Sequence, residues 1–264
     1  MNYDGRIILA AHRGDRKHFP ENTMPAFEAA LRMGADMIET DVHMTRDGEL
    51  IIMHDRNPLR TTGHDGWTNE MTLEEIRQLD AGAPFSPDFA GTPVPTVREL
   101  LELVRGTDML VNWELKDYPD EVGEAFAMEA ADKLIALLEE YQFAEQSMLN
   151  TSSDRVLEHI VEKHGHRFPI HGQGIGSCQR TRDRAAMPQE ELYDWCCLYA
   201  DVKGQSPLDY PQHFAHCIAH GIHPCVCLPD TMDIYSRALE LGCRMFTSND
   251  IETADALLRA LKRR

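Results

Sequence analysis

Two histidines, three carboxylates and two cations stand at the ends of apolar runs in the first half of the chain. His12-Arg13-Gly14 follows Ile7-Ile8-Leu9-Ala10-Ala11, and Glu39-Thr40-Asp41 ends a second apolar stretch. His54-Asp55 follows Leu50-Ile51-Ile52-Met53, and Asn112-Trp113-Glu114-Leu115-Lys116 repeats the pattern. Runs of this kind read as buried strands, and titratable groups placed repeatedly at strand ends point to an active site. Glu39 and Asp41 are two residues apart, as are Glu114 and Lys116, so on a strand each pair shares a face. Buried like charges are costly unless a cation or a proton relieves them. Three carboxylates with no cysteine nearby suit a hard cation, Mg²⁺ or Ca²⁺. Interior salt bridges, Glu114 with Lys116 or Arg13, account for the same residue types equally well. His12 and His54 suit general acid and base, because imidazole titrates near neutrality. Arg13 and Lys116 suit an anion, Arg bidentately and Lys as a point charge.

Strands are expected at 6–11, 36–42, 50–54, 109–115, 147–151, 168–171, 198–202, 223–228 and 244–247, with helices between them. Alternating strand and helix implies a parallel sheet. Nine strands exceed a (β/α)8 barrel by one. Only seven residues, His43 to Glu49, separate the second run from the third. A parallel crossover needs about a dozen, so this link reads as an antiparallel hairpin turning at Asp47-Gly48. Eight parallel strands remain, and the hairpin brings His54 back level with Glu39 and Thr40. Thr72 to Glu75 and Thr96 to Glu99 fit capping boxes. Asn22-Thr23 before Pro25 reads as a helix N-cap. Residues 59–95, with Gly63, Gly66, Gly82, Gly91 and several prolines, break the rhythm and read as an insertion at the carboxyl end of the barrel. The whole chain, 1–264, is expected to form one domain.

The formal net charge of −18 argues against nucleic acid as partner. No apolar run is long enough to cross a membrane. The seven cysteines all lie beyond residue 177. Their odd number, with no room for a signal peptide, implies reduced thiols and a cytoplasmic protein. The expected partner is a small molecule, and the oligomeric state is open.

The motifs occur in a fixed order: His12-Arg13-Gly14, Glu21-Asn22-Thr23, Gly34-Ala35-Asp36, Glu39-Thr40-Asp41-Val42, Thr45-Arg46-Asp47-Gly48, His54-Asp55 and Glu114-Leu115-Lys116. As an ordered set they resemble the glycerophosphodiester phosphodiesterase family, densely from residue 9 to about 116. The resemblance implies a phospholipase-C-like (β/α)8 barrel and metal-dependent cleavage of a phosphodiester to an alcohol and a phosphomonoester. Carried over, Glu39, Asp41 and Glu114 bind the metal, His12 and His54 form the acid–base pair, and Arg13 and Lys116 hold phosphate. A lyase forming a cyclic phosphate, or a non-catalytic phospho-ligand barrel, would use the same residues. Glu21 is a candidate to orient His12, and Asp55 to steer His54; His43 is expected beside them without a chemical role.

The far half departs from the family. Val226-Cys227-Leu228-Pro229-Asp230 stands where an aromatic-bearing strand is usual, and Asn150-Thr151-Ser152 where Ser-Phe is. The resemblance therefore points to a divergent member whose alcohol group differs from glycerol. His213, His216 and His220, with Cys217, His223, Cys225 and Cys227, match no standard zinc spacing and read as packing, as do Cys196-Cys197.

Overall fold

Short runs rich in Ile, Leu, Val and Met, bounded by polar residues, give nine strands in the computed structural model, which describes residues 6–199, 206–229 and 231–264. They are β1 (Ile8–His12), β2 (Met37–Met44), β3 (Leu50–Ile52), β4 (Leu110–Leu115), β5 (Ser147–Asn150), β6 (Ile170–Gly172), β7 (Trp195–Tyr199), β8 (His223–Cys227) and β9 (Met245–Ser248). The order β1-β2-β4-β5-β6-β7-β8-β9 closes on itself, because β1 pairs in parallel with both β2 and β9. The architecture is the expected (β/α)8 barrel. The strand expected at 198–202 begins earlier, at Trp195, where Trp-Cys-Cys-Leu-Tyr gives the apolar run; residues 200–202 lie outside the described residues.

β3 runs antiparallel on β2, pairing Val42 with Ile52 and Met44 with Leu50. β1 pairs with Met37 to Glu39 of the same β2 edge, while β4 covers the other edge. The edge of β2 therefore passes from β1 to β3 at Thr40 and Asp41, where Asp41 O accepts from Met53 N at 3.0 Å. Continuing the hairpin register places residue 54 opposite residue 40, the position expected from the turn.

Side-chain alternation divides the core in two. Leu9, Ala11, Ile38 and Trp113 point outward into the layer between strands and helices. Ile8, Ala10, Met37, Leu110, Met148, Trp195 and Met245 point inward and fill the lower barrel. Burying each large apolar side chain stabilises by about 1.5–3 kcal/mol. Along the inward faces the chemistry changes from apolar to polar: Ile8 gives way to His12, Met37 to Glu39 and Asp41, Leu110 to Asn112 and Glu114. A solid apolar plug thus supports a charged floor at the carboxyl ends of the strands.

Both capping boxes form, with Thr72 and Glu75, and Thr96 and Glu99, bonded reciprocally. The helix after β1 starts one residue earlier than Pro25, at Met24, and Thr23 is its N-cap by position alone. Its hydroxyl donates to Pro20 O instead of accepting from the helix. Segment 59–95 carries short helical turns, and a small cluster of Ile51, Met53, Ile76, Ala81 and Val94 ties it to the hairpin.

Candidate active site

Glu39 and Asp41 on β2 and Glu114 on β4 converge in the barrel, each offering a carboxylate oxygen within 4.8 Å of the others. Asp41 and Glu114 are direct register partners, which explains the convergence. Lys116 Nζ stands 2.6 Å from Glu114 Oε1 and 3.2 Å from Asp41 Oδ1. Arg13 Nε stands 3.3 Å from Asp41 Oδ2. Arg13 reaches this position from a left-handed backbone (φ 60°), and its N–H donates to Glu39 O at 2.8 Å. Gly14 follows at φ 80°, and a Cβ there would stand 2.7 Å from the Ala26 carbonyl carbon. The His-Arg-Gly turn thus needs glycine both for conformation and for room.

Electrostatics separate the carboxylates. Burial, with the charges of Asp41 and Glu114, pushes the Glu39 carboxyl well above its ordinary range. Burial opposes ionisation of Asp41 too, but Lys116 and Arg13 outweigh it and hold that carboxyl low. Lys116 stays charged because Glu114 and Asp41 overcome its burial. Asp41 Oδ1 accepts no hydrogen bond among the described residues, only this ion pair. Three oxygen donors with excess negative charge, one of them short of partners, fit a hard divalent cation.

His12 ends β1 beside this cluster, with Nε2 3.9 Å from Glu39 Oε2. Its Nδ1 donates to Asn249 Oδ1 at 2.6 Å. Burial, then the Arg13 guanidinium, pushes the imidazole down to about 3, so it is neutral with its Nε2 lone pair toward the carboxylates. His12, Glu39 and Glu114 line one cavity with Asn112, Asn150, His171, Gln173, Cys227, Leu228 and Thr247. His54 lines a second, more open depression with Lys116, Tyr118, Arg56, Trp67 and Arg182. The Lys116–Asp41–Glu114 bridge belongs to the charged cluster between them. His54 Nδ1 donates to Asp55 Oδ1 at 2.5 Å, the steering contact expected of Asp55. His43 donates to Asp117 Oδ1 at 2.7 Å, and its Nε2 lies 3.3 Å from the His54 carbonyl, so it supports the loop that carries His54.

Two expectations change. Glu21 does not touch His12; it binds Arg13 at 2.8 Å, Arg16 at 3.0 Å and Arg60 at 2.7 Å. Burial pushes its carboxyl up, but these cations outweigh burial and bring it down to about 2. The residue that orients His12 is Asn249, and its signal was its place just past the last barrel strand. Asn22 is no cap: its amide donates to Asp41 Oδ2 at 2.7 Å and its carbonyl accepts from Thr40 Oγ1 at 3.0 Å. It braces β2 where that strand passes from β1 to β3.

The glycerophosphoryl diester phosphodiesterase family model matches residues 12–209. The chain belongs to that family. Across 161 residues it is 40% identical to the glycerophosphodiester phosphodiesterase of Caldanaerobacter subterraneus, covering 61% of this chain and 64% of that protein. It is 41% identical to a putative glycerophosphodiester phosphodiesterase of Bacillus subtilis over 44% of this chain and 48% of that one. The chain thus aligns with less than two thirds of these relatives' length. Among solved structures, a phosphodiesterase of Oleispira antarctica in complex with the product sn-glycerol-3-phosphate superposes at TM-score 0.81 and 20% identity, over 97% of this chain and 98% of that one. A putative glycerophosphoryl diester phosphodiesterase of Silicibacter pomeroyi gives 0.81 and 21%, over 97% and 94%. Both share the barrel of this family member.

Proposed function

We propose that this chain is a metal-dependent phosphodiesterase that hydrolyses a glycerophosphodiester-like substrate to an alcohol and a phosphomonoester. The observation that carries the reading is the convergence of Glu39, Asp41 and Glu114 beside a neutral, oriented His12. These carboxylates would hold Mg²⁺ or Ca²⁺, which when bound stabilises negative charge on phosphoryl oxygens. His12, its Nδ1 fixed by Asn249, takes a proton at Nε2 from the nucleophile, either water or a neighbouring substrate hydroxyl. His54, held by Asp55, gives a proton from Nε2 to the leaving alkoxide. Arg13 and Lys116, which neutralise Asp41 in the free site, turn part of their charge to the phosphate. The alcohol occupies the depression under His54, where Arg56 lies 4.2 Å over Trp67 and Arg182 4.3 Å over Tyr118. Both guanidinium groups are held by Glu121, and Arg182 by Asp120 as well, so the depression offers the alcohol a polar, fixed wall.

Segment 59–95 serves as an insertion at the carboxyl end of the barrel, sending Arg60 to Glu21 and Asp55. We read residues 1–264 as one catalytic domain acting in a reducing, cytoplasmic setting, which the odd number of cysteines suits. The test is phosphomonoester release from a panel of phosphodiesters, with and without chelator. Turnover restored by Mg²⁺ or Ca²⁺ supports the reading; turnover indifferent to chelator removes the metal from it, and no turnover on any diester removes the activity.

A further inference from the structure

Beneath the acidic cluster, β6, β7 and β8 turn His171, Cys197 and Cys225 into the barrel. One ligand atom from each lies within 4.8 Å of the other two, and all three residues are buried. His171 Nε2 is 3.1 Å from Cys225 Sγ. Cys197 is the register partner of Cys225 on the neighbouring strand and lies within hydrogen-bonding reach of both Cys225 and Cys227. The catalytic reading uses none of these groups, and none of the thiols is in a disulfide. In a tetrahedral site with Zn–N about 2.0 Å and Zn–S about 2.3 Å, ligand atoms stand about 3.5–3.8 Å apart. The 3.1 Å contact is a few tenths of an ångström shorter than that spacing, a gap that small side-chain rotations open.

Asn112 supplies a second, independent observation. Its Nδ2 donates to His171 Nδ1 at 2.9 Å, while its buried Oδ1 has no hydrogen-bond partner among the described residues. A half-turn of this amide brings Oδ1 onto His171 Nδ1, which then carries the imidazole proton. The Nε2 lone pair is thereby freed toward Cys197 and Cys225, and the amide becomes the outer support typical of a metal-bound histidine. His171 and Cys227 also line the cavity that holds His12 and Glu39, which gives an ion a way in.

We propose that His171, Cys197 and Cys225 form a second metal site for a thiophilic divalent cation of the Zn²⁺ type, its fourth position filled by solvent from the cavity that Cys227 lines. The imidazole binds as the neutral ligand, and each ligating thiol releases its proton to solvent as a metal–sulfur bond forms. Sulfur and nitrogen donors here, and oxygen donors above, sort soft from hard cations between two floors of one barrel. The site stands whether or not the chain cleaves phosphodiesters, because its test reads metal alone.

Co²⁺ is the probe, since thiolate ligation gives it a near-ultraviolet charge-transfer band that carboxylate ligation does not. The reduced full chain is loaded with Co²⁺ and desalted, its cobalt is counted, and the band is recorded. The band is expected in the wild-type chain and is expected to vanish when Zn²⁺ is added. It is expected to be lost in Cys225→Ser and Cys197→Ser, to weaken in His171→Gln, and to persist in Glu114→Gln. Absence of the band from the wild-type chain, a measurement that needs no variant, overturns the proposal. So does a band that keeps its full strength in either cysteine variant.

Discussion

Asn22 sits at φ 55°, a conformation that costs a non-glycine residue of order 1 kcal/mol, and the same turn aims its amide at Asp41 and Thr40. Truncation to alanine leaves Asp41 buried with one donor fewer, so Asn22→Ala should lower unfolding free energy by about 1–3 kcal/mol, measured by urea titration. Turnover should fall with it, whereas a simple cap would change stability alone. Removing His12 as Gln should lower kcat by about 10²–10⁴, the usual span for a general acid or base. Asn249→Ala acts through His12 and should cut kcat less than His12→Gln while moving the acidic limb of the pH–rate profile, with KM little changed. Glu21 gives a pH prediction with a defined sign. Its carboxyl is near 4.5 in the unfolded chain and about 2 in the folded one. The stability it contributes is therefore complete above about 4.5 and disappears as pH falls toward 2. Glu21→Gln should flatten the stability curve across that window.

The β2–β3 hairpin is the element that brings His54 to the site. Its turn is tied down by Asp47, which accepts from Thr45 Oγ1 at 2.6 Å and from Leu73 N at 3.0 Å. Asp47→Ala removes both bonds and should cost about 1–2 kcal/mol by thermal or urea unfolding. It should also reduce kcat, because the hairpin whose returning strand leads to His54 loses its anchor to the helix Leu73–Ile76. The hairpin was legible in the sequence because seven residues cannot span a parallel crossover and Asp-Gly makes a tight turn. The inward pairing of Glu39 with Asp41 was legible for a similar reason, since strand periodicity is rigid. Asn22 and Asn249 were not. An asparagine before a helix has the same local pattern whether it caps the helix or bonds a neighbouring strand, and only the placement of Thr40 and Asp41 beside it decides. Asn249 meets His12 across 237 residues, through barrel closure that no local pattern encodes. His171, Cys197 and Cys225 likewise come from three different strands, so their sequence spacing resembles no metal motif.

At the scale of the whole molecule, the barrel stacks an apolar plug, a thiol and imidazole layer, and a carboxylate floor in one interior. Burying Glu39 beside Asp41 and Glu114 is costly even with Arg13 and Lys116 present, and a bound cation relieves that cost. Mg²⁺ or Ca²⁺ at a hundred times its Kd should add about 2.7 kcal/mol to stability and raise Tm, read by calorimetry. Because burial and the neighbouring carboxylates of Asp41 and Glu114 raise the Glu39 carboxyl in the free site, metal binding should tighten as pH rises, with proton release. Glu39→Gln should abolish that release. The central claim concerns the bond that this assembly is proposed to break. It is tested most directly by turnover of sn-glycero-3-phosphocholine and related diesters in ¹⁸O-labelled water with Mg²⁺ or Ca²⁺, followed by mass spectrometry of the phosphorylated product. The account predicts a phosphomonoester carrying one solvent oxygen, formed by the wild-type chain and lost in Glu114→Gln. An unlabelled cyclic phosphate as the end product, or no product from any diester, would contradict it.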